Sequence, residues 1–178
     1  MGTLNLPNTL TVTRIVLIPV FVTAVIYRRY DYALYLFFIA ALTDAFDGLI
    51  ARLKNQKTAF GTFLDPLADK FLLVTSFVLF SIYSLIPTWF TITIISRDII
   101  VITGWMLLHL ATHTSKVEPS GTGKAAIALQ LMLICFILLR LNFPSLPGIQ
   151  RYLIWVTAFF TIISGLHYVY RGLKQANA

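Results

Sequence analysis

Four of the seven acidic residues of the chain lie in one run, which reads Asp44-Ala-Phe-Asp47-Gly48-Leu-Ile-Ala51-Arg52 and, eight residues later, Gly61-Thr-Phe-Leu-Asp65-Pro-Leu-Ala-Asp69. Each pair of aspartates borders a long apolar segment. An ionised carboxylate beside hydrocarbon is costly unless it is paired or coordinates a metal. Four carboxylates gathered in this way therefore predict a common counter-charge, supplied by one or two divalent cations.

Composition places this run in a membrane protein. The 178 residues are 58% hydrophobic and only 12% charged, which is about half the charge of ordinary soluble domains. Cutting at polar and turn-forming residues leaves six apolar segments, each near the ~20 residues that cross hydrocarbon. We predict a single domain, residues 1–178, that is an all-α integral membrane protein. Its six transmembrane helices would span Leu10–Tyr27, Tyr32–Ala51, Phe63–Ser84, Trp89–Ala111, Lys124–Leu141 and Ile149–Tyr170.

The basic residues predict the orientation of these helices. Six spans place the N terminus, the loops at 52–62 and 111–123 and the C terminus on one side, which is much richer in Lys and Arg than the other. The positive-inside rule makes that side cytoplasmic. We therefore expect a multi-pass protein of the inner, cytoplasmic membrane with its aspartates at the cytoplasmic face. The net charge of +7 is explained by topology and anionic lipid; no nucleic-acid motif accompanies it, so we expect no nucleic-acid partner.

Helical spacing predicts that the aspartates converge. Asp44 and Asp47 are three residues apart near the end of the second segment, and Asp65 and Asp69 are four apart at the start of the third. Both spacings put the two residues of a pair on one helix face, and the short connection predicts that the two helices are antiparallel neighbours. Ligands that are all oxygen favour magnesium, calcium or manganese over zinc.

The residues around the aspartates suggest the ligand. Gly48 and Ala51 leave room for a close approach to the backbone, Arg52 can offer a bidentate fork to a phosphate, and Gly61 can add backbone flexibility. This combination predicts a diphosphate held between metals and an arginine. For Asp65 alone, Asp65-Pro66 has another interpretation, a helix cap followed by proline at the first helical position.

The main alternative to an enzyme that acts on such a diphosphate is a divalent-cation channel or transporter. In a divalent-cation channel or transporter, the carboxylates would form a permeation site. Such a site predicts acids near the midplane of the membrane and leaves Gly48 and Arg52 unexplained. The grouping of the acids at one interface beside an arginine favours the enzyme.

The aspartate run and the residues around it resemble the signature of a known family. The pattern Asp44-x2-Asp47-Gly48-x2-Ala51-Arg52-x8-Gly61-x3-Asp65-x3-Asp69 is similar to the signature of the CDP-alcohol phosphatidyltransferases, and every position is present at the right spacing. Six spans, with the motif bridging the second and third, fit the same family. The N-terminal stretch Leu6-Pro7-Asn8-Thr9-Leu10-Thr11-x2-Arg14-x4-Pro19 extends the resemblance over nearly the whole chain.

The resemblance implies roles for these residues. Asp44, Asp47, Asp65 and Asp69 would hold two divalent cations, Mg or Mn, and Asp69 would also act as the base. The residues implied to contact the lipid donor, CDP-diacylglycerol, are Asn8, Thr11, Gly48, Arg52, Thr58 and Gly61. The family also implies a homodimer that works at the surface of the lipid bilayer.

Within the family, the N-terminal stretch through Pro19 is most similar to the bacterial phosphatidylglycerophosphate synthases, whose acceptor is glycerol 3-phosphate. An anionic acceptor needs fixed positive charge, and Arg97, Lys124 and Arg14 are the candidates. For Arg97, pairing with its neighbour Asp98 or reaching towards the interface is the structural alternative.

Two short motifs point to another acceptor. Those synthases usually carry Arg-Glu in the fourth span and Gly-Lys-x-Lys-Thr entering the fifth, whereas this chain has Ser96-Arg97-Asp98 and Gly123-Lys124-Ala-Ala. Both variants are more similar to the eukaryotic-type cardiolipin synthases of the same superfamily, whose acceptor is phosphatidylglycerol.

Overall fold

The computed structural model describes the backbone of residues 6–54, 59–112 and 121–176, and the side chains of residues 13, 15–43, 70–104, 106 and 121–172. Over these residues the backbone forms helices and turns, with no strand. The helices are α1 (Leu6–Ile26), α2 (Tyr30–Lys54), α3 (Ala59–Ile82), α4 (Thr88–Thr112), α5 (Gly121–Asn142) and α6 (Gln150–Ala176). The prediction of an all-helical chain with six helices is therefore confirmed for the described residues.

Several helices extend further than hydropathy predicted. Helix α1 already begins at Leu6, so the polar N-terminal stretch through Thr9 is partly helical, and α2 and α3 leave only residues 55–58 between them. Hydropathy marks only the part of a helix that suits hydrocarbon, whereas backbone hydrogen bonding continues into polar turns. The predicted loop at 52–62 is thus too long, because most of it is helical.

Two of the helices are long and apolar enough to cross a membrane when the described residues are searched: Gly121–Asn142 and Gln150–Gly172. Three shorter apolar helical segments, Ile15–Ile26, Tyr30–Thr43 and Lys70–Ile82, accompany them.

Large apolar side chains are exposed on every one of the six helices. Examples are Val16 on α1, Tyr35 on α2, Phe71 on α3, Ile102 on α4, Met132 on α5 and Phe159 on α6. So many exposed large apolar side chains are typical of contact with a membrane or a partner. The exposed faces therefore suit a surrounding of lipid.

The chain forms two compact units, each with its own core. The first contains the described residues of Met1–Leu79 and Ile137–Leu146. In it, α1 packs against α2, with Phe21 and Val25 of α1 and Ala33, Phe37 and Ala40 of α2 buried. The buried positions of α2 recur every three or four residues, which is the period of one helix face.

A tight turn joins α1 and α2 in this unit. Arg28 adopts a left-handed conformation with φ of 57°, which lets the chain reverse within a few residues. The Arg29 guanidinium lies 3.5 Å from the Asp31 carboxylate and 4.5 Å from the centre of the Tyr32 ring. Hydrogen bonding and charge from Asp31 raise the pKa of Arg29. Asn142 of α5 also binds the start of α2: its Nδ2 donates a hydrogen bond to the Tyr30 carbonyl oxygen at 2.9 Å.

The second unit contains the described residues of Phe80–Phe136 and Pro147–Ala178, and its helices α4 and α6 pack together. Near their starts, the Trp89 and Trp155 rings are 5.0 Å apart, and further along Arg97 contacts Ser164. Early residues of α4 contact early residues of α6, and later residues contact later ones, so the two helices run in the same direction.

Helix α6 buries several small and polar residues and exposes most of its large apolar ones. Thr157, Ala158, Thr161 and Ser164 are 2% exposed or less, whereas residues such as Trp155 and Phe159 are 60% exposed or more. Small residues let helix backbones approach closely where lipid provides no hydrophobic drive for association. One buried polar contact on this face links α6 to α5: Gln130 Nε2 donates to Thr161 Oγ1 at 3.2 Å.

Short turns join α3 to α4 and α5 to α6. Between α3 and α4, Ser84 has φ of 57° and the Leu85 amide donates to the Phe80 carbonyl at 2.8 Å. Gln150, at the start of α6, donates to the Leu85 carbonyl at 2.6 Å. Residues 143–149 form the second turn, between α5 and α6.

The close approach of α4 and α6 makes Gly104 a test of this packing. A Cβ at Gly104 would lie 2.9 Å from Cε1 of Tyr168, so the tyrosine ring would have to move. We expect Gly104→Ala to lower the free energy of unfolding in detergent by about 1–3 kcal/mol, as overpacking does. Gly121→Ala is the matched control, because nothing lies within 4 Å of the added methyl group. Equal stability of the two variants would contradict the described α4–α6 packing.

Candidate active site

The signature residues occupy two helices in the structure. Asp44, Asp47, Gly48 and Arg52 belong to α2, in about its last three turns, and Gly61, Asp65 and Asp69 belong to about the first three turns of α3. The helical spacing on which the sequence argument depended is therefore present at all four aspartates. Their side chains lie outside those described, so the convergence of the four carboxylates on one site stays a prediction.

The helix-cap interpretation of Asp65 is wrong. A cap followed by proline requires Asp65 at the boundary of a helix, but α3 begins at Ala59 and contains both Asp65 and Pro66. A proline inside a helix removes one backbone hydrogen bond, so this position carries a cost that capping does not explain. The metal-ligand interpretation remains for Asp65.

The side chains of four further predicted site residues are outside the described set. Asn8, Thr11 and Arg14 belong to the first half of α1, and Thr58 lies between α2 and α3, outside the described residues altogether. Their proposed contacts with the lipid donor and the acceptor remain predictions.

Arg97 is buried in the second unit and is held by two partners. It is only 9% exposed. Its Nη1 donates to Asp98 Oδ1 at 2.8 Å, and its Nη2 donates to Ser164 Oγ of α6 at the same distance. The pairing with Asp98 that was considered as a structural alternative is thus present. A role for Arg97 in binding the acceptor must be compatible with this pairing.

The guanidinium of Arg97 still has capacity to bind an anion. Its Nε is buried and has no hydrogen-bond partner among the residues that the structure describes. A guanidinium carries five N–H donors, and a buried donor without a partner costs free energy. A buried charged donor without a partner is a feature expected where a ligand binds.

Lys124 is exposed and belongs to the first turn of α5. The N-terminal end of a helix attracts anions through the helix macrodipole, and a lysine there adds a mobile positive charge. This location suits a phosphate ligand, in line with the prediction.

Sequence reasoning missed three polar or small residues of α6, two of which contact Arg97. Ser164 accepts a hydrogen bond from it, Gly165 lies against its side chain, and Tyr168, one turn later, has a buried hydroxyl without a partner in the described part of the chain. The available signal was a polar stripe, Thr157, Thr161, Ser164 and Tyr168, at helical spacing within an otherwise apolar helix.

Within the described side chains no group of three or more His, Cys, Asp or Glu residues comes together as a metal site. The four signature aspartates are not among those side chains, so they remain the candidate metal ligands of the chain. Four carboxylates offer oxygen atoms only, and such a donor set fits hard divalent cations.

Comparison with known proteins identifies the family. Residues 4–163 match the model of the CDP-alcohol phosphatidyltransferases. The chain belongs to this family. It is therefore an enzyme, a phosphatidyltransferase, and the alternative of a cation channel is rejected. The family is generally dependent on divalent metal.

Similar proteins from bacteria and animals cover most of this phosphatidyltransferase. The CDP-diacylglycerol–glycerol-3-phosphate 3-phosphatidyltransferase of Bacillus subtilis is 36% identical over 97% of the chain and 99% of its own length. The Salmonella paratyphi A protein of the same name is 38% identical over 93% of both. The human cardiolipin synthase (CMP-forming) is 35% identical over 96% of the chain, which spans 62% of the human protein.

Proposed function

We propose that this phosphatidyltransferase transfers the phosphatidyl group of CDP-diacylglycerol to glycerol 3-phosphate, forming phosphatidylglycerophosphate and releasing CMP. One observation carries the proposal: the complete aspartate signature lies on two consecutive helices of a chain that matches the Bacillus subtilis enzyme of this name from end to end. The N-terminal stretch through Pro19 supports the same acceptor.

The proposed setting is a membrane crossed by all six helices. Exposed apolar side chains on each helix support it, as do the two long apolar helices. The excess of basic residues on one side supports an active site that faces the cytoplasm. A lipid donor and a water-soluble acceptor meet only at such an interface. We also propose a homodimer, on the resemblance to the family alone.

Asp44, Asp47, Asp65 and Asp69 are the residues proposed to hold two divalent cations, Mg or Mn. When bound, such cations neutralise charge on the diphosphate and on the departing CMP. The carboxylates in turn would be stabilised next to the membrane by this counter-charge, which removes the cost of leaving them unpaired.

The remaining roles follow from the chemistry of each group. The acceptor hydroxyl oxygen forms a bond to the phosphorus that carries diacylglycerol, and the bond from that phosphorus to the oxygen of CMP breaks. Asp69 takes the proton of the attacking hydroxyl as general base. Arg52 is suited to binding the diphosphate through its planar fork, with Gly48 and Gly61 leaving space for the donor and Asn8, Thr11 and Thr58 contacting it.

Arg97 and Lys124 are proposed to bind the phosphate of the acceptor, with Arg14 as a further candidate. Two observations support these roles: the buried Nε of Arg97 has no hydrogen-bond partner among the described residues, and Lys124 lies in the first turn of α5. Because Asp98 and Ser164 already occupy Nη1 and Nη2, the guanidinium is fixed before the acceptor arrives, which lowers the entropy lost on binding.

A second acceptor, phosphatidylglycerol, is favoured by a specific observation. The motifs Ser96-Arg97-Asp98 and Gly123-Lys124-Ala125-Ala126 are more similar to the eukaryotic-type cardiolipin synthases, and the human protein of that name matches 96% of this chain. Transfer to phosphatidylglycerol would form cardiolipin by the same chemistry.

The decisive experiment measures CMP release from CDP-diacylglycerol by the purified protein with glycerol 3-phosphate, phosphatidylglycerol, serine or inositol as acceptor. We expect release with glycerol 3-phosphate and little with the others. Release with phosphatidylglycerol alone would assign the chain as a cardiolipin synthase instead.

The aspartate site predicts a strict requirement for divalent metal. We expect no activity in excess chelator and recovery on addition of magnesium or manganese. Asp44→Asn, Asp47→Asn and Asp65→Asn should each lower kcat at least ~100-fold, the scale seen when a charge-stabilising element is lost. Asp31→Asn, in the first turn of α2, is the control and should keep normal turnover. Full activity in chelator would contradict the metal site.

The Asp69→Asn variant tests whether Asp69 acts as the general base in addition to binding metal. Loss of the base affects mainly the transition state, so this variant should lose transfer while retaining measurable binding of CDP-diacylglycerol. Near-normal turnover would remove Asp69 from the proton transfer.

The acceptor site predicts a change in one Michaelis constant only. Arg97→Gln and Lys124→Gln should each raise the KM for glycerol 3-phosphate about tenfold or more, because each removes a charge-assisted hydrogen bond worth ~1.5–3 kcal/mol. The KM for CDP-diacylglycerol should change little. Arg151→Gln, an exposed arginine at the start of α6, controls for loss of one positive charge. Equal effects on both constants would indicate a structural role.

A further inference from the structure

The side chain of Arg97 is fixed from α6 as well as from its own helix. Its Nη1 donates to Asp98 Oδ1 and its Nη2 to Ser164 Oγ, both at 2.8 Å. Ser164 is itself only 1% exposed, so its hydroxyl does not exchange this contact for bulk water. The guanidinium is therefore held by groups on two different helices.

Gly165 makes room for the stem of the same arginine. A Cβ at position 165 would lie 3.3 Å from Cγ of Arg97 and 3.9 Å from its Cβ. The first distance is tighter than ordinary van der Waals contact, so any larger residue would press on the arginine. Glycine at this position lets the stem lie directly against the backbone of α6.

The contacts with Asp98 and Ser164 engage two of the three nitrogens of the buried guanidinium. Nε has no hydrogen-bond partner in the described part of the chain, although Arg97 is 9% exposed. Since Nη1 and Nη2 are committed to Asp98 and Ser164, rotation of the guanidinium would break two hydrogen bonds. The orientation of Nε therefore depends on Ser164.

We propose that Ser164 and Gly165 are positioning residues for substrate binding: the Ser164 hydroxyl and the space at Gly165 orient Arg97 so that its Nε faces the anionic phosphate of the acceptor. This inference rests on the proposed function, because it assigns the ligand of Arg97. Both residues lie just beyond residue 163, where the match to the family model ends.

A purely structural role is the competing explanation. In that case the Arg97–Ser164 hydrogen bond would join α4 to α6 and nothing more. Its loss would lower stability and affect both substrates alike. The two explanations differ in the Michaelis constants, which separate the acceptor from the lipid donor.

The experiment varies both substrates in a CMP-release assay with the purified full chain in mixed micelles. Ser164→Ala should raise the KM for glycerol 3-phosphate by about fivefold or more, the scale of losing one hydrogen bond to a charged group, and leave the KM for CDP-diacylglycerol unchanged. Ser164→Thr keeps the hydroxyl and should restore the acceptor KM towards the wild-type value. Gly165→Ala, which presses on the arginine stem, should raise the same constant.

Two controls separate positioning from packing. Thr157→Val removes a buried hydroxyl from the same face of α6, one that has no hydrogen-bond partner within the described residues, and should change neither constant. Ser164→Ala added to Arg97→Gln should raise the acceptor KM no further, because the serine acts through the arginine. Thermal unfolding of each variant reports whether it is folded.

The outcomes are distinct from those that test the function. An equal rise in both constants, or an effect of Ser164→Ala that persists in the Arg97→Gln background, would overturn the positioning role. A wild type that uses only phosphatidylglycerol would overturn the proposed acceptor, and the same variants would then be compared on the KM for that phosphodiester. A wild type that releases no CMP with either acceptor overturns both.

Discussion

Hydrocarbon does not solvate charge, and the buried polar contacts of the described residues are consistent with this constraint. The six helices expose large apolar side chains, so the few charged residues outside the helix ends need partners within the protein. Arg97 meets this requirement with Asp98 and Ser164. For the four signature aspartates, the counter-charge is the one that we propose a bound divalent cation would supply.

The same constraint explains why α6 buries small and polar residues and exposes most of its large apolar ones. In a soluble bundle, large apolar residues lie inside because water drives them there; in lipid that drive is absent, and packing of small residues takes its place. Thr157, Thr161, Ser164 and Gly165 let α6 approach its neighbours in the second unit. This close approach is also what brings the Ser164 hydroxyl within 2.8 Å of the Arg97 guanidinium. The packing of α6 and the proposed positioning of Arg97 thus depend on the same small residues.

The proposed role of Arg97 is compatible with either candidate acceptor. Glycerol 3-phosphate and phosphatidylglycerol both carry a negatively charged phosphate near a free hydroxyl, so one guanidinium can orient either for attack. They differ in charge and in attachment to lipid. Selectivity between them must therefore come from groups that respond to those differences, and the exposed Lys124 at the start of α5 is suited to the more highly charged, water-soluble acceptor.

Much of this protein followed from the sequence by itself. Composition determined the six helices, because apolar runs of membrane length leave few alternatives, and the spacing of Asp44, Asp47, Asp65 and Asp69 determined the family, because each position lies at a required interval. Helix ends were less predictable: the cap at Asp65 and the long loop at 52–62 were wrong, since backbone hydrogen bonds carry α2 and α3 beyond their apolar segments. Only the tertiary structure decided which groups hold Arg97. Ser164 and Gly165 lie more than sixty residues from Arg97 in the sequence. Small residues form no sequence pattern that identifies a distant partner. Their contacts with Arg97 arise from the close parallel packing of α4 and α6.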